Sequence, residues 1–146
     1  MYGTRSDENN SVYRFLKSAI EDRKISIKSD GREVREYINV LDAARICLKI
    51  VEEEIVDETL IVTGHHRMRV SELLDMINEI MNFSIEIRSN VENSDVSGSH
   101  YNETPYSYIP SVGKKIITDT YCDLGQSLIE ILNEIDVNKS IEEIHI

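Results

Sequence analysis

Three places in this 146-residue chain hold side chains whose type and spacing could do chemistry. The first is Gly31-Arg32-Glu33-Val34-Arg35-Glu36-Tyr37-Ile38-Asn39, with Arg35 set among acidic neighbours. A guanidinium is a rigid fork of N–H donors that keeps its charge, so it suits paired oxygens. Those oxygens could equally belong to Glu33 or Glu36 in a surface ion pair. The second place is Tyr13-Arg14-Phe15-Leu16-Lys17. Tyr13 and Lys17 are four apart and would share a helix face. With seven Tyr and seven Lys in the chain, one chance Tyr-x-x-x-Lys is about a one-in-three event. The third is His65-His66, after Gly64. One adjacent pair without carboxylate-and-histidine spacing is a poor ligand set, so no metal is expected there. His100 and His145 are isolated in sequence.

Alternating helices and short strands must position these groups. Val12, Phe15, Leu16, Ala19 and Ile20 follow helical spacing, with Ser11 as the expected cap of a helix to Asp22. Ile25-Ser26-Ile27 alternates like a strand, and Ser29-Asp30-Gly31 is a turn signal. Tyr37 to Val40 is a second extended piece. Asp42 is the expected cap of a helix to Glu54, apolar nearly all round and therefore expected to be deeply buried. Thr59 to Val62 has the composition of an inner strand. Val70 to Met81 forms another helical stripe, with Ser71 as its cap, and Ser84 to Ile87 alternates as a strand. Ser89 to Gly113 is a long polar loop with both prolines. Leu124 to Ile135 forms the last amphipathic helix behind Asp123, and residues 137–146 are a tail with little pattern. The expectation is one α/β domain over residues 1–136, with few and short strands.

A hydrophobic share of 40% and a charged share of 29% suit an ordinary globular protein. No apolar run reaches the ~20 residues of a membrane span, and no signal peptide opens the chain. The cytoplasm is the expected location. A net charge of -11 argues against nucleic-acid or anionic-membrane partners, because phosphate backbones would be repelled. Cys47 and Cys122 are unclustered, which fits reduced thiols.

The ordered set Tyr2-Gly3-Thr4-Arg5, "ISIKSDGREVREYINVLDAARICL" and "TLIVTGHHRMRVSELLDMI" resembles the C-terminal part of the extended short-chain dehydrogenase/reductases. These are NAD-dependent epimerases, dehydratases and decarboxylases of nucleotide sugars. The resemblance covers roughly Tyr2 to Met81 and thins beyond Ile87. It implies that Arg35 reaches the diphosphate of a sugar nucleotide. It implies that the strand at Ile25 to Lys28, with Ile27 and Lys28, lies beside the nucleobase through backbone groups. Arg14 and Asn39 are the further candidates to line the substrate side. By residue type alone the plainer reading leads for both: Arg14 as a solvated helix arginine and Asn39 as an edge-strand polar residue.

In that family the glycine fingerprint and the catalytic Tyr-x-x-x-Lys precede Tyr-Gly-x-Arg. Here the six glycines, at 3, 31, 64, 98, 113 and 125, are too scattered for a dinucleotide loop. Tyr13 and Lys17 follow Tyr2-Gly3-Thr4-Arg5, where the family has an ordinary substrate-side helix. No catalytic residue is therefore expected in this chain, and no cofactor bound by it alone. NAD is implied for a full-length enzyme. Arg88 is the last arginine, whereas relatives often carry another diphosphate arginine later; His100, Tyr101, Tyr106 and Tyr108 stand in that region instead.

The expected role is the nucleotide-sugar-binding portion of such an enzyme, lacking the Rossmann core. Its partners would be a nucleoside-diphosphate sugar and a dinucleotide-binding domain, in the same chain or encoded separately. A bared apolar surface implies a homo-oligomer, a dimer, or docking on that domain. The alternatives are a non-catalytic sugar-nucleotide-binding or assembly module, and an unrelated α/β domain in which Arg35 is structural.

Overall fold

The computed structural model describes residues 1–90 and 113–144. The order is α1 (Ser11–Glu21), β1 (Lys24–Ile27), β2 (Val34–Tyr37), α2 (Val40–Glu52), β3 (Leu60–Val62), β4 (His66–Arg69), α3 (Val70–Ile80), β5 (Glu86–Ser89), β6 (Lys114–Ile116) and α4 (Leu124–Ile144). This is a small α/β fold. Its strands form three separate pairs: β1 with β5 in parallel, β2 with β4 antiparallel, and β3 with β6 in parallel. The expected loop of Ser89 to Gly113 falls almost wholly outside the described residues.

The core lies between α1, α3 and α4, with β1 beneath them. Leu16 and Ala19 of α1 meet Leu73, Leu74 and Ile77 of α3 and Leu128 and Ile131 of α4. Ile25 and Ile27 close the cluster from β1, and Tyr2 from the amino end. The 3.6-residue stripes of these three helices match the side each one buries. Beyond Ile135 the apolar stripe of α4 stops, yet the helix runs on to Ile144, where a patternless tail is expected from sequence. No described helix is long and apolar enough to cross a membrane.

Five local expectations need correction. α1 is capped by Asn10, whose side chain accepts from the Val12 and Tyr13 amides, and not by Ser11. α3 starts one residue before Ser71, behind Arg69. α2 is capped by Asn39, three residues before Asp42. The burial expected of α2 is also absent: only Asp42 and Ile46 are buried, and no residue of α2 joins the main core. β3 is half-buried and has one neighbour, β6, among the described residues, so it is not an inner strand here.

Candidate functional site

Arg35 sits on the two-stranded ribbon β2–β4, in the register Val34↔Arg69, Arg35↔Met68, Glu36↔Arg67 and Tyr37↔His66. Side chains alternate across a strand, so Arg35 shares a face with Tyr37 and Met68, both packed against the core. The ribbon is anchored at its start. Gly31 holds φ +74, a left-handed value that favours glycine, and its carbonyl accepts from the Ser71 amide at 2.9 Å. The Glu33 carbonyl accepts from Val70 at 3.1 Å, so the entry to β2 is tied to the start of α3. Arg35 is half-buried, and its Nη1 donates to the Val34 carbonyl at 3.0 Å. Burial pushes the Tyr37 hydroxyl up to about 12, with Arg35 opposing and Glu33 adding to the shift.

The opposite face of β2 carries Glu36, whose carboxylate is only 6% exposed. It accepts from Lys115 Nζ at 2.8 Å and from the Thr63 hydroxyl. One buried carboxylate thus joins the ribbon to the β3–β6 pair, with its charge matched. Arg32, Arg35, Arg67 and Arg69 all fall on the ribbon or the turn leading into it. Arg67 and Arg69 share the Glu36 face, opposite Arg35, and Arg32 pairs with Asp30.

A small cleft opens beside the end of β2, between the 37–42, 63–65 and 118–122 segments. Its free volume is about 10 Å³, on the order of one water molecule and far below a ligand pocket. His65 stacks on Tyr121 with ring centroids 4.6 Å apart, and its Nε2 lies 2.7 Å from the Thr118 carbonyl. Asp42 is buried and accepts from the Cys122 amide at 2.9 Å and from Arg45 at 2.8 Å. Arg35 does not line this cleft. Among the described residues no three His, Cys, Asp or Glu side chains gather as metal ligands.

The other residues singled out from sequence lie apart from Arg35 or are already committed. Asn39, expected to line the substrate side, is 5% exposed and works as a cap. Its Oδ1 accepts from the Leu41 amide at 2.8 Å, and its Nδ2 donates to Ser127 Oγ at 3.0 Å. Arg14 is exposed and donates to the Glu8 carbonyl at 2.7 Å, on the loop before its own helix. Lys17 pairs with Glu8. The Ile27 side chain is buried, and its carbonyl accepts from the Asn90 amide at 2.9 Å. Because backbone groups along a strand alternate in direction, the outer edge of β1 belongs to Ser26 and Lys28, both exposed. Arg67, Arg69 and Ser26 were not singled out from sequence. The pairing of β4 with β2 brings the first two to the ribbon, and the only hint of it was the pair of arginines after His66.

No protein-family model and no curated protein matches the sequence. Solved structures do match in fold. UDP-glucuronic acid 4-epimerase from Bacillus cereus, in complex with UDP-glucuronic acid and NAD, superposes with a TM-score of 0.67 at 18% identity, over 92% of this chain and 42% of that one. dTDP-glucose 4,6-dehydratase from Bacillus anthracis, with NAD, gives 0.67 at 16% identity, over 95% and 43%. A GDP-L-fucose synthetase from Naegleria fowleri, bound to NADP, gives 0.63 at 13% identity, over 95% and 44%. The chain therefore spans well under half the length of the enzymes that it matches. It has the fold of the C-terminal part of the extended short-chain dehydrogenase/reductases.

Proposed function

We propose that this chain is the substrate-side portion of an NAD-dependent nucleotide-sugar epimerase or dehydratase, and that it holds the nucleoside diphosphate without turning it over. One observation carries the reading. The arginine-bearing ribbon β2–β4 lies in a fold shared with an epimerase whose complex holds UDP-glucuronic acid. Arg35 is our diphosphate residue, since a guanidinium matches two phosphate oxygens with charge-assisted bonds. Ser26 of β1 and Lys28 just beyond it offer a base the edge of β1 that has no strand partner among the described residues; Ile27 supports that edge from the core. Arg14 and Asn39 stand at the margin of the reading, because both are engaged within the fold. NAD belongs to a dinucleotide-binding domain, in the same chain or another, where it would take and return a hydride. The cytoplasm suits such a partner and its substrates.

Calorimetric titration with UDP, dTDP, GDP and CDP, beside Arg35→Ala, tests the reading. Binding to one of them should weaken by roughly 1.5–3 kcal/mol in the variant, the worth of a hydrogen bond to a charged group. Equal binding by both proteins would remove Arg35 from the site. Absence of binding to all four, with and without a complementing dinucleotide-binding domain, would sink the reading. A second reading, an assembly module without catalysis, is favoured by the uncovered outer face of α2. Nucleotide binding that never leads to turnover with a complementing domain would support it.

A further inference from the structure

Glu33, just before β2, and Arg35 and Tyr37 within it are spaced by two, so they fall on one face of the ribbon. Tyr37 packs its ring on the core. Its hydroxyl makes no hydrogen bond to any described residue. Tyr2, whose ring also lies in the core, has Ser127 for that purpose. Burial raises the Tyr37 hydroxyl to about 12, so the hydroxyl itself, and not the ring alone, is held largely out of water. A buried donor left without an acceptor costs stability, and such groups are few enough in folded proteins that each needs a reason. The carboxylates on either side along the chain are engaged elsewhere. Glu33 accepts from Ser29 Oγ at 2.5 Å, and Glu36, on the other face, accepts from Lys115 and Thr63. Phenylalanine would fill the same place in the core, so packing alone does not call for the hydroxyl.

We propose that Tyr37 is a second contact to the diphosphate, its hydroxyl donating to one phosphate oxygen while the Arg35 guanidinium takes two others. This rests on Arg35 as the diphosphate residue. Two positions along a strand put the pair about 7 Å apart at their Cα atoms, a span that two long side chains can close over one anion. The two groups contribute differently. The guanidinium supplies charge and a fork of donors. The phenol supplies a neutral donor whose proton stays on far above neutral pH. Because the ring is seated on the core, little side-chain freedom is lost when the hydroxyl is engaged. Glu33 opposes an anion on this face and Arg35 offsets that charge, so the bond from Tyr37 adds to the net gain. The anion in turn gives the buried hydroxyl the acceptor that the fold does not.

Titration of the 146-residue chain with UDP, dTDP, GDP and CDP, and with inorganic pyrophosphate, tests the contact in Tyr37→Phe and Arg35→Ala beside the unaltered protein. Tyr37→Phe keeps the ring and drops only an unbonded hydroxyl, so its urea midpoint at neutral pH should hold or rise. We expect its affinity for both the preferred nucleotide and pyrophosphate to fall about tenfold. In the unaltered protein, bound ligand should move the last tyrosinate step to still higher pH, because a neighbouring anion disfavours a phenolate. Tyr37→Phe should lack that movement. Weakened binding in Arg35→Ala with normal binding in Tyr37→Phe overturns the proposal and leaves Arg35 as the diphosphate residue. Loss of nucleotide but not of pyrophosphate affinity overturns it as well, by moving the contact to the nucleoside. A fall in affinity matched by a lower urea midpoint makes Tyr37 a residue of the fold alone. No binding of any ligand by the unaltered protein removes Arg35 and Tyr37 together.

Discussion

Asn39 shows how one side chain can be read for a ligand and serve the backbone. Its amide is used at both ends: Oδ1 takes the Leu41 N–H and Nδ2 gives to Ser127, 88 positions away in sequence. α2 thereby gains a cap and a tie to α4 in one residue. Asn39→Ala should cost about 1–2 kcal/mol, the usual worth of a cap, seen as a lower midpoint in urea unfolding. An unchanged midpoint would mean that water replaces both bonds. Asn39 and Asp42 are both good caps by residue type, so local sequence offered two starts for α2. Ser127 and Cys122 decide between them, by binding Asn39 and Asp42 respectively. A choice made by distant partners is not legible locally. Arg35 was legible as an exception worth testing, because it stands in a specific run of residues. The far face of its ribbon was not, since Arg67 and Arg69 reach it, opposite Glu36 and Val34, only through pairing.

At the scale of elements, legibility followed periodicity. α1, α3 and α4 carry apolar stripes at helical spacing, and each stripe is the face that enters the core. β4 reads His66-Arg67-Met68-Arg69, with one apolar residue in four, so nothing in it alternates. It becomes a strand because β2 lies opposite. β6, Lys114-Lys115-Ile116, is hidden for the same reason. The ribbon also depends on a close approach that residue type hints at without locating. A Cβ added to Gly64 would lie 1.7 Å from the Tyr37 carbonyl oxygen. No side-chain motion can relieve that contact, so the 63–65 segment or the end of β2 must shift. Gly64→Ala should destabilise the fold by about 1–3 kcal/mol, as overpacking does. Faster amide exchange should follow at Glu36 and Tyr37. Native exchange rates there would show that the loop absorbs the methyl group without disturbing the ribbon, and Gly64 would then be dispensable to the site.

Over the whole molecule, Tyr2 and Tyr37 join the parts that sequence presented separately. Tyr2 is 3% exposed within the core, its amide donates to Ile38 at 3.0 Å, and its carbonyl accepts from Val40 at 2.7 Å. The amino end is thus stitched to the joint between β2 and α2. Burial, then the nearby charges of Asp42, Cys122 and Asp123, push the Tyr2 hydroxyl up to about 12, while its hydrogen bond to Ser127 opposes this. Burial does the same to Tyr37, also to about 12. Both phenols have an ordinary value of 10.0. Between these values the unfolded chain releases two protons that the folded chain retains. Raising the pH therefore favours unfolding. The stability that rests on the neutral hydroxyls is complete below pH 10 and is lost as pH rises towards about 12. Tyrosinate absorbance followed beside circular dichroism should show a late step that coincides with loss of helix. Tyr2→Phe and Tyr37→Phe should each flatten the alkaline fall in stability. Full ionisation of every tyrosine near pH 10 with the helices intact would mean that neither ring is held in the core, and that the joint between β2 and α2 is looser than its hydrogen bonds imply.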